Sequence, residues 1–365
     1  MLNNKTIAVV VPAFNEEKQI GNVIETMPDF IDRIIIVNDC SKDKTAEVVK
    51  QYIDSEKSQT IVIKDILNDV HLSKYNRANY VVQEMTKKES KYFIPSEVVT
   101  ENPDQSRIIL INQLKNGGVG AAIARGYKWS KDYGIDCTAV MAGDGQMDPD
   151  ELESICKPVV EENIDYVKGN RLIHRSAWLV IPKTRYFGNS ILSILTKIAS
   201  GYWHVSDTQT GYTALSTKAL NAIRIHKIYK KYGMPNDMLV KLNIAFCTLR
   251  EVEIKPVYDI GEKTKMKIIK VIPRVILLLF LSFFKRLWIK YLFRDFHPLF
   301  LLYHASFILG LISLPYLLKI IKSIIYGYEM SFEPLLAFIF LSVSSFQALL
   351  FAMWMDIMDN ERLYK

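Results

Sequence analysis

Hydrophobic residues follow two regimes along this chain. Up to about residue 160 they come as short β-branched runs separated by amphipathic stretches; beyond about residue 270 they come as long, nearly uncharged blocks. The runs at 6–11 (TIAVVV), 33–37 (RIIIV), 107–112 (RIILIN) and 138–142 (TAVMA) have the length and branching of buried strands, and 60–64 (TIVIK) reads as another. Helical patterns follow at 20–27, 44–52 and 121–131, and one more opens near Pro149. Thr45 or Asp43 suits the start of the second, and Asp148 suits the cap ahead of Pro149. Strands alternating with helices predict an α/β domain with a mostly parallel sheet, and such sheets bind ligands beyond the carboxyl ends of their strands. PAFNE (12–16), NDCSKD (38–43), KNGGVG (115–120) and GDGQMD (143–148) all follow predicted strands and should meet at that edge. Residues 66–105 break the alternation; polar and weakly periodic, they predict an inserted, partly helical excursion.

The apolar blocks predict a membrane anchor. Residues 271–284 (VIPRVILLLFLSFF) are broken by Pro273 and Arg274 and flanked by bases, which suits an interfacial helix better than a span. Residues 298–321 and 332–355 are each about 24 residues long with almost no charge, enough to cross a ~30 Å hydrocarbon core. Lys285, Arg286, Lys290 and Arg294 precede the first of them, whereas the loop between them is less basic, so both ends of the hairpin are expected in the cytosol. The expected organisation is one α/β domain over 1–265, basic juxtamembrane helices over 266–294, and a transmembrane hairpin with a short tail over 295–365.

Charge sharpens this picture. The formal net charge is +7, but the bases crowd between Lys255 and Arg294, beside the apolar blocks. That placement reads as a membrane- or phosphate-facing patch and argues against a nucleic-acid groove. The first residues carry no basic leader before their apolar run, so the N-terminal domain is expected in the cytosol. Cys40, Cys137, Cys156 and Cys247 match no zinc spacing and are expected to be free thiols.

Chemistry concentrates in GDGQMD. Asp144 follows a strand by one residue, between Gly143 and Gly145, and Gln146 adds a neutral oxygen two positions on. Mg²⁺ takes one or two protein ligands and completes its shell with water and phosphates, so these two could hold a metal and the metal a diphosphate; an acidic turn entering a helix is the alternative. Asp39 is placed to take hydrogen bonds from a ribose or base, or to shape an Asx turn. The glycines at 117, 118 and 120 suggest a dinucleotide loop, but Ile123 stands where a third motif glycine belongs.

Taken together, PAFNE, NDCS (38–41), NGGVG (116–120), DGQ (144–146), GNR (169–171) and DTQTGY (207–212) resemble the family-2 glycosyltransferases of GT-A fold. Within them the chain looks like the polyprenyl-phosphate glycosyltransferases related to dolichyl-phosphate mannose synthase. The resemblance covers about 6–65 and 107–265. It implies that Pro12, Asn15, Glu16 and Asp39, with Asn116 and Gly118, form the nucleoside side of a nucleotide-sugar site. Asp144 and Gln146 would hold Mg²⁺ or Mn²⁺. Arg171 and Arg185 would face phosphates of donor or acceptor, and Asp207 and Gln209 would lie at the acceptor face. Lys263 and Lys265 resemble the basic segment before the family's membrane helices; a solvated charge run is the alternative. Two departures stand out: Ala142 replaces an acid common in the metal loop, and Tyr212 replaces a common Phe. The implied reaction is inverting transfer of a sugar from a UDP or GDP donor to a polyprenyl phosphate at the bilayer. The rivals are a processive polysaccharide synthase, whose Q-x-x-R-W motif is missing, and an inactive membrane scaffold. Sugar, base, prenol length and any homo-oligomeric state are not legible.

Overall fold

In a computed structural model of the chain, residues 1–55, 62–63, 72–258, 268–327 and 331–365 are described, except the side chains of Thr184 and of residues 268–271. The first half alternates as expected. β1 (Ile7–Ala13) leads through α1 (Ile20–Glu25) to β2 (Arg33–Asn38), and α2 (Thr45–Ser55) follows. Asp43 opens α2 by accepting from the Thr45 amide at 3.1 Å. After α3 (Arg77–Glu89) come β3 (Ser96–Val98), β4 (Ile108–Gln113), α4 (Val119–Asp132) and β5 (Cys137–Val140). The order continues through α5 (Leu152–Glu161), β6 (Tyr166–Asn170), α6 (Ala177–Val180), α7 (Lys183–Ser200), β7 (Thr213–Ser216), α8 (Thr217–Ala222), α9 (Met234–Ile244) and β8 (Leu249–Glu253). Three helices close the chain: α10 (Ile268–Trp288), α11 (Leu299–Tyr326) and α12 (Phe332–Glu361).

Eight strands form one mixed sheet in the order β3-β4-β2-β1-β5-β7-β6-β8. The strands read from the sequence, β4, β2, β1 and β5, are mutually parallel, and β7 runs antiparallel to both β5 and β6. β1 and β2 are buried on both faces, which is why their sequences read as continuous apolar runs. Glycine shapes the packing: a Cβ on Gly126 would lie 2.3 Å from a Val10 methyl, so α4 sits against β1 only because that position has none.

Two expectations change here. Most of the strand expected at 60–64 lies outside the described residues; Val62 and Ile63 are not in a strand, although the Ile63 amide donates to the Asp104 carbonyl at 3.0 Å. The excursion at 66–105 also returns to the sheet, since β3 pairs antiparallel with β4.

α10 is longer than the interfacial helix expected and carries Pro273 inside it. Val275, Leu279, Phe283 and Leu287, at four-residue spacing, bury against α7 and α9, while Ile276, Phe280 and Leu281 stay exposed. α11 and α12 pack on one another and are long and apolar enough to cross a membrane, with most of their surface uncovered by protein. Of the four basic residues ahead of them, Lys285 and Arg294 are exposed, but the other two are not part of a surface patch. Arg286 and Lys290 are fully buried, because α12 returns acids to them: Arg286 makes two 2.7 Å bonds to Asp356, and Lys290 lies 3.4 Å from Asp359. The tail then joins the sheet domain, where the Leu249 amide donates to the Leu363 carbonyl at 2.7 Å and Lys365 donates back to Leu249 at 2.9 Å.

Candidate active site

The loops after β1, β2 and β4 are tied to one another. Asn15, at φ 56°, accepts from the Lys42 amide at 2.8 Å, and its own amide donates to the Ser41 hydroxyl at 3.0 Å. The Glu16 amide donates to Thr45 Oγ1 at 2.9 Å. Asp39 is buried, and its carboxylate accepts from the amides of Gly117 and Gly118 at 2.7 and 2.8 Å, while Asn116 Nδ2 reaches the Asp39 carbonyl at 3.2 Å. Burial raises the Asp39 pKa, and the two glycine amides only partly offset it. The glycines meet a local need. Gly118 has φ 88°, and a Cβ there would lie 2.6 Å from the Lys230 carbonyl oxygen; a Cβ on Gly120 would lie 2.1 Å from that of Tyr229. They let α4 begin against the main chain of residues 229–230.

The loop after β5 brings Asp144 to the same edge. The Gln146 amide donates to Asp144 Oδ1 at 3.1 Å across Gly145, which sits at φ 75°. Asp148 caps the turn before α5, as expected, by accepting from the Asp150 amide at 3.0 Å. Lys255, which the sequence reading did not single out, reaches Asp148 Oδ2 at 3.0 Å. Tyr212, at the site of the Phe-to-Tyr departure, donates its hydroxyl to the Asp148 carbonyl at 2.8 Å. The departure therefore supports the acidic loop from behind.

Arg171, at the end of β6, makes a forked ion pair with Asp207: Nε to Oδ2 at 2.8 Å and Nη2 to Oδ1 at 3.1 Å. Burial would raise the Asp207 pKa, but the Arg171 charge and its bonds outweigh that and hold it below the usual carboxylate value. Asp207 is 1% exposed, so it anchors Arg171 and does not itself form the acceptor face expected of it. Tyr258 links two predicted phosphate ligands: Arg171 Nη1 lies 3.4 Å from its hydroxyl, and the Arg185 guanidinium stands 5.6 Å from its ring centroid. Gln209 donates to Asn236 Oδ1 at 2.9 Å.

These groups line one cleft of about 1310 Å³. Pro12, Asn15, Glu16, Asp39, Asn116 and Gly118 lie along it, as do Asp144, Gln146, Arg171, Arg185 and Gln209. Ile272, Val275 and Ile276 of α10 line it as well, so the cleft runs from the sheet edge to α10. Lys263 and Lys265 lie outside the described residues. The sequence reading missed Lys231, Tyr232, Lys255 and Tyr258 in this lining; their segments carry no strand or cap signal that would have set them apart. Among the described residues no group of three or more His, Cys, Asp or Glu gathers as a metal cage. One carboxylate and one amide oxygen suit a Mg²⁺-like ion that takes most of its ligands from water and phosphate.

The model of "Glycosyl transferase family 2" matches residues 8–83 and 96–224. The UDP-N-acetylglucosamine–dolichyl-phosphate N-acetylglucosaminyltransferase of Methanococcus voltae is 29% identical over 261 residues, 70% of this chain and 87% of its own. A dolichyl-phosphate beta-glucosyltransferase of Trichomonas vaginalis is 23% identical over 297 residues, 77% of this chain and 74% of its own. The undecaprenyl-phosphate mannosyltransferase of Micrococcus luteus is 26% identical over 140 residues, 38% of this chain and 56% of its own. Among solved structures, the glucosyl-3-phosphoglycerate synthase of Mycobacterium tuberculosis with Mn²⁺, UDP-glucose and phosphoglyceric acid covers 78% of this chain and 80% of its own, at 16% identity and TM-score 0.45.

Proposed function

We propose that this chain, which belongs to glycosyl transferase family 2 and has a GT-A-like α/β fold, transfers a sugar from a nucleotide donor to a polyprenyl phosphate with inversion at the anomeric carbon. The observation that carries the reading is the single cleft that joins Asp39, Asp144 and Gln146 to Arg171, Arg185 and the apolar residues of α10, next to two candidate membrane spans. A donor diphosphate and a lipid-borne phosphate can meet only in a site that is polar at one end and opens on a bilayer at the other. Both ends of the α11–α12 hairpin lie on the sheet-domain side, which supports one orientation for domain and hairpin, here taken as cytosolic.

The chemistry asks little proton transfer of the protein. A phosphate monoester has its second pKa near 6, so the acceptor oxygen is already anionic near neutral pH and needs no strong general base. One oxygen of the lipid phosphate attacks the anomeric carbon while the bond to the donor diphosphate breaks. Single displacement inverts the configuration. Pro12, Asn15, Glu16 and Asp39 hold the nucleoside; Arg171 and Arg185, aligned on Tyr258, offer guanidinium donors to phosphate oxygens. Asp144 and Gln146 would hold Mg²⁺ or Mn²⁺, which when bound supplies positive charge against the departing diphosphate. Ile272, Val275 and Ile276 offer the prenyl chain an apolar wall beside the bilayer.

The M. voltae relative is named for UDP-N-acetylglucosamine and dolichyl phosphate, so that pair is tested first. Detergent-solubilised protein is incubated with radiolabelled UDP- and GDP-sugars and either dolichyl or undecaprenyl phosphate, with Mn²⁺ or with EDTA. A lipid-extractable product that needs the metal and is lost in Asp144→Ala is expected. Metal-dependent donor binding without a lipid product would move the acceptor to a glycan or protein. Neither binding nor transfer would favour a scaffold.

A further inference from the structure

Glu251 lies on β8, and the chemistry above makes no use of it. Its carboxylate gathers three donors: the Ser206 amide at 2.9 Å, the Asp207 amide at 3.0 Å and Asn170 Nδ2 at 2.9 Å. Asn170 directly precedes Arg171, and its Oδ1 accepts from the Leu172 amide at 2.9 Å. One carboxylate therefore ties the residue before Arg171, through it the residue after, and the main chain of its ion partner Asp207. The charges nearby are balanced. Lys168, fully buried, donates to the Thr210 carbonyl and sits in the field of Asp207 and Glu251, so two cations face two acids. Burial pushes the Lys168 amine down to about 8, and those two carboxylates offset part of that.

We infer that Glu251 is a positioning residue for Arg171: it fixes where the guanidinium points by holding β6 against the segment that carries Asp207. The inference rests on the reading that Arg171 meets a phosphate in the cleft. Misplacing a reacting or binding group by about 1 Å can cost on the order of 100-fold in rate, so a residue with no substrate contact can act strongly. Glu251→Gln keeps the shape but turns an NH₂ towards main-chain donors and leaves two cations against one carboxylate.

The test uses the full chain in detergent and has two readouts. Hydrogen exchange follows the amides of Ser206, Asp207 and Leu172, and steady-state kinetics with the donor and lipid phosphate follow a cycle of Glu251→Gln, Arg171→Gln and the double variant. Glu251→Gln is expected to speed exchange at these amides and to shift, by about 10–100-fold, the same kinetic parameter that Arg171→Gln shifts. The double variant is expected to be no worse than Arg171→Gln alone, because the two act as one unit. Unchanged exchange, or effects that multiply in the double variant, would overturn the inference. Faster exchange with a kinetically silent Arg171→Gln would uphold the positioning and overturn the phosphate reading instead. If Glu251→Gln does not fold, Glu251→Asp, which keeps the charge on a shorter arm, takes its place with the same expectations at smaller size.

Discussion

Removing Asp356 should damage the protein far more than its place near the end of an apolar helix suggests. Asp356 is fully buried and accepts from Arg286 Nη1 and Nη2 at 2.7 Å each, from Tyr291 at 2.9 Å and from Asn360 Nδ2 at 2.8 Å. Arg286 in turn donates through Nε and Nη2 to the carbonyls of Ala199 and Ile198, the last turn of α7. Those carbonyls have no partner within their own helix, so Arg286 closes the end of the helix that lines the cleft. Asp356→Leu strands a buried guanidinium, a loss of about 3–5 kcal/mol. At about 2–4 °C per kcal/mol for a large domain, the melting temperature should fall by about 6–20 °C. Arg286→Met/Asp356→Leu removes both charges and should recover part of that loss, since replacing a whole buried pair by apolar groups is often close to neutral but the Ala199 and Ile198 carbonyls then lose their donor. The assay is thermal unfolding in one detergent at one scan rate. A fall of under about 2 °C for Asp356→Leu would refute the latch, as would a double variant no more stable than the single.

Asp144→Ala should cut transfer by at least about 100-fold and abolish the metal dependence of donor binding, both read by calorimetry and product extraction with and without Mn²⁺. Gly118→Ala should cost about 1–3 kcal/mol and weaken nucleotide binding, because the backbone stands at φ 88° and the new methyl meets the Lys230 carbonyl; equilibrium denaturation and nucleotide titration measure it. Asp207 has its native pKa held below the ordinary 3.8, so the native state binds fewer protons than the unfolded chain. Its stabilisation is complete above the unfolded pKa and is lost as pH falls below about 4 through the native value. Asp207→Asn should therefore be less stable near pH 7 and lose that part of the acid slope, as read by urea unfolding at a series of pH values.

The parts of the fold that were legible were those whose sequence carries a complete local signal. β1, β2, β4 and β5 are buried on nearly every residue, so their apolar runs stand alone. β6 and β8 gave no such signal. YVKGN and LREVE carry Lys168, Arg250 and Glu251, whose polar partners lie far along the chain. β3 is three residues long on a sheet edge, too short to show alternation. Arg286 and Lys290 read as surface bases because the groups that neutralise them, Asp356 and Asp359, return some 70 residues later. At the site, the motif residues were legible because turn chemistry is local. The supports were not: Glu251 reaches Asn170, and Tyr258 reaches Arg171, only once β8 lies beside β6. The need for glycine in the 116–120 loop became visible only with the backbone of residues 229–230 against it.

The central claim is that an oxygen of a lipid phosphate becomes bonded to the sugar's anomeric carbon in one displacement. The most direct measurement is the structure of the product made from UDP-N-acetylglucosamine, or whichever donor is accepted, and dolichyl phosphate, by ³¹P and ¹H NMR of the extracted lipid. A single sugar joined through a phosphodiester, with the anomeric configuration opposite to that of the donor, is the result predicted. Retained configuration, a glycan chain, or a sugar attached anywhere but the phosphate would contradict it.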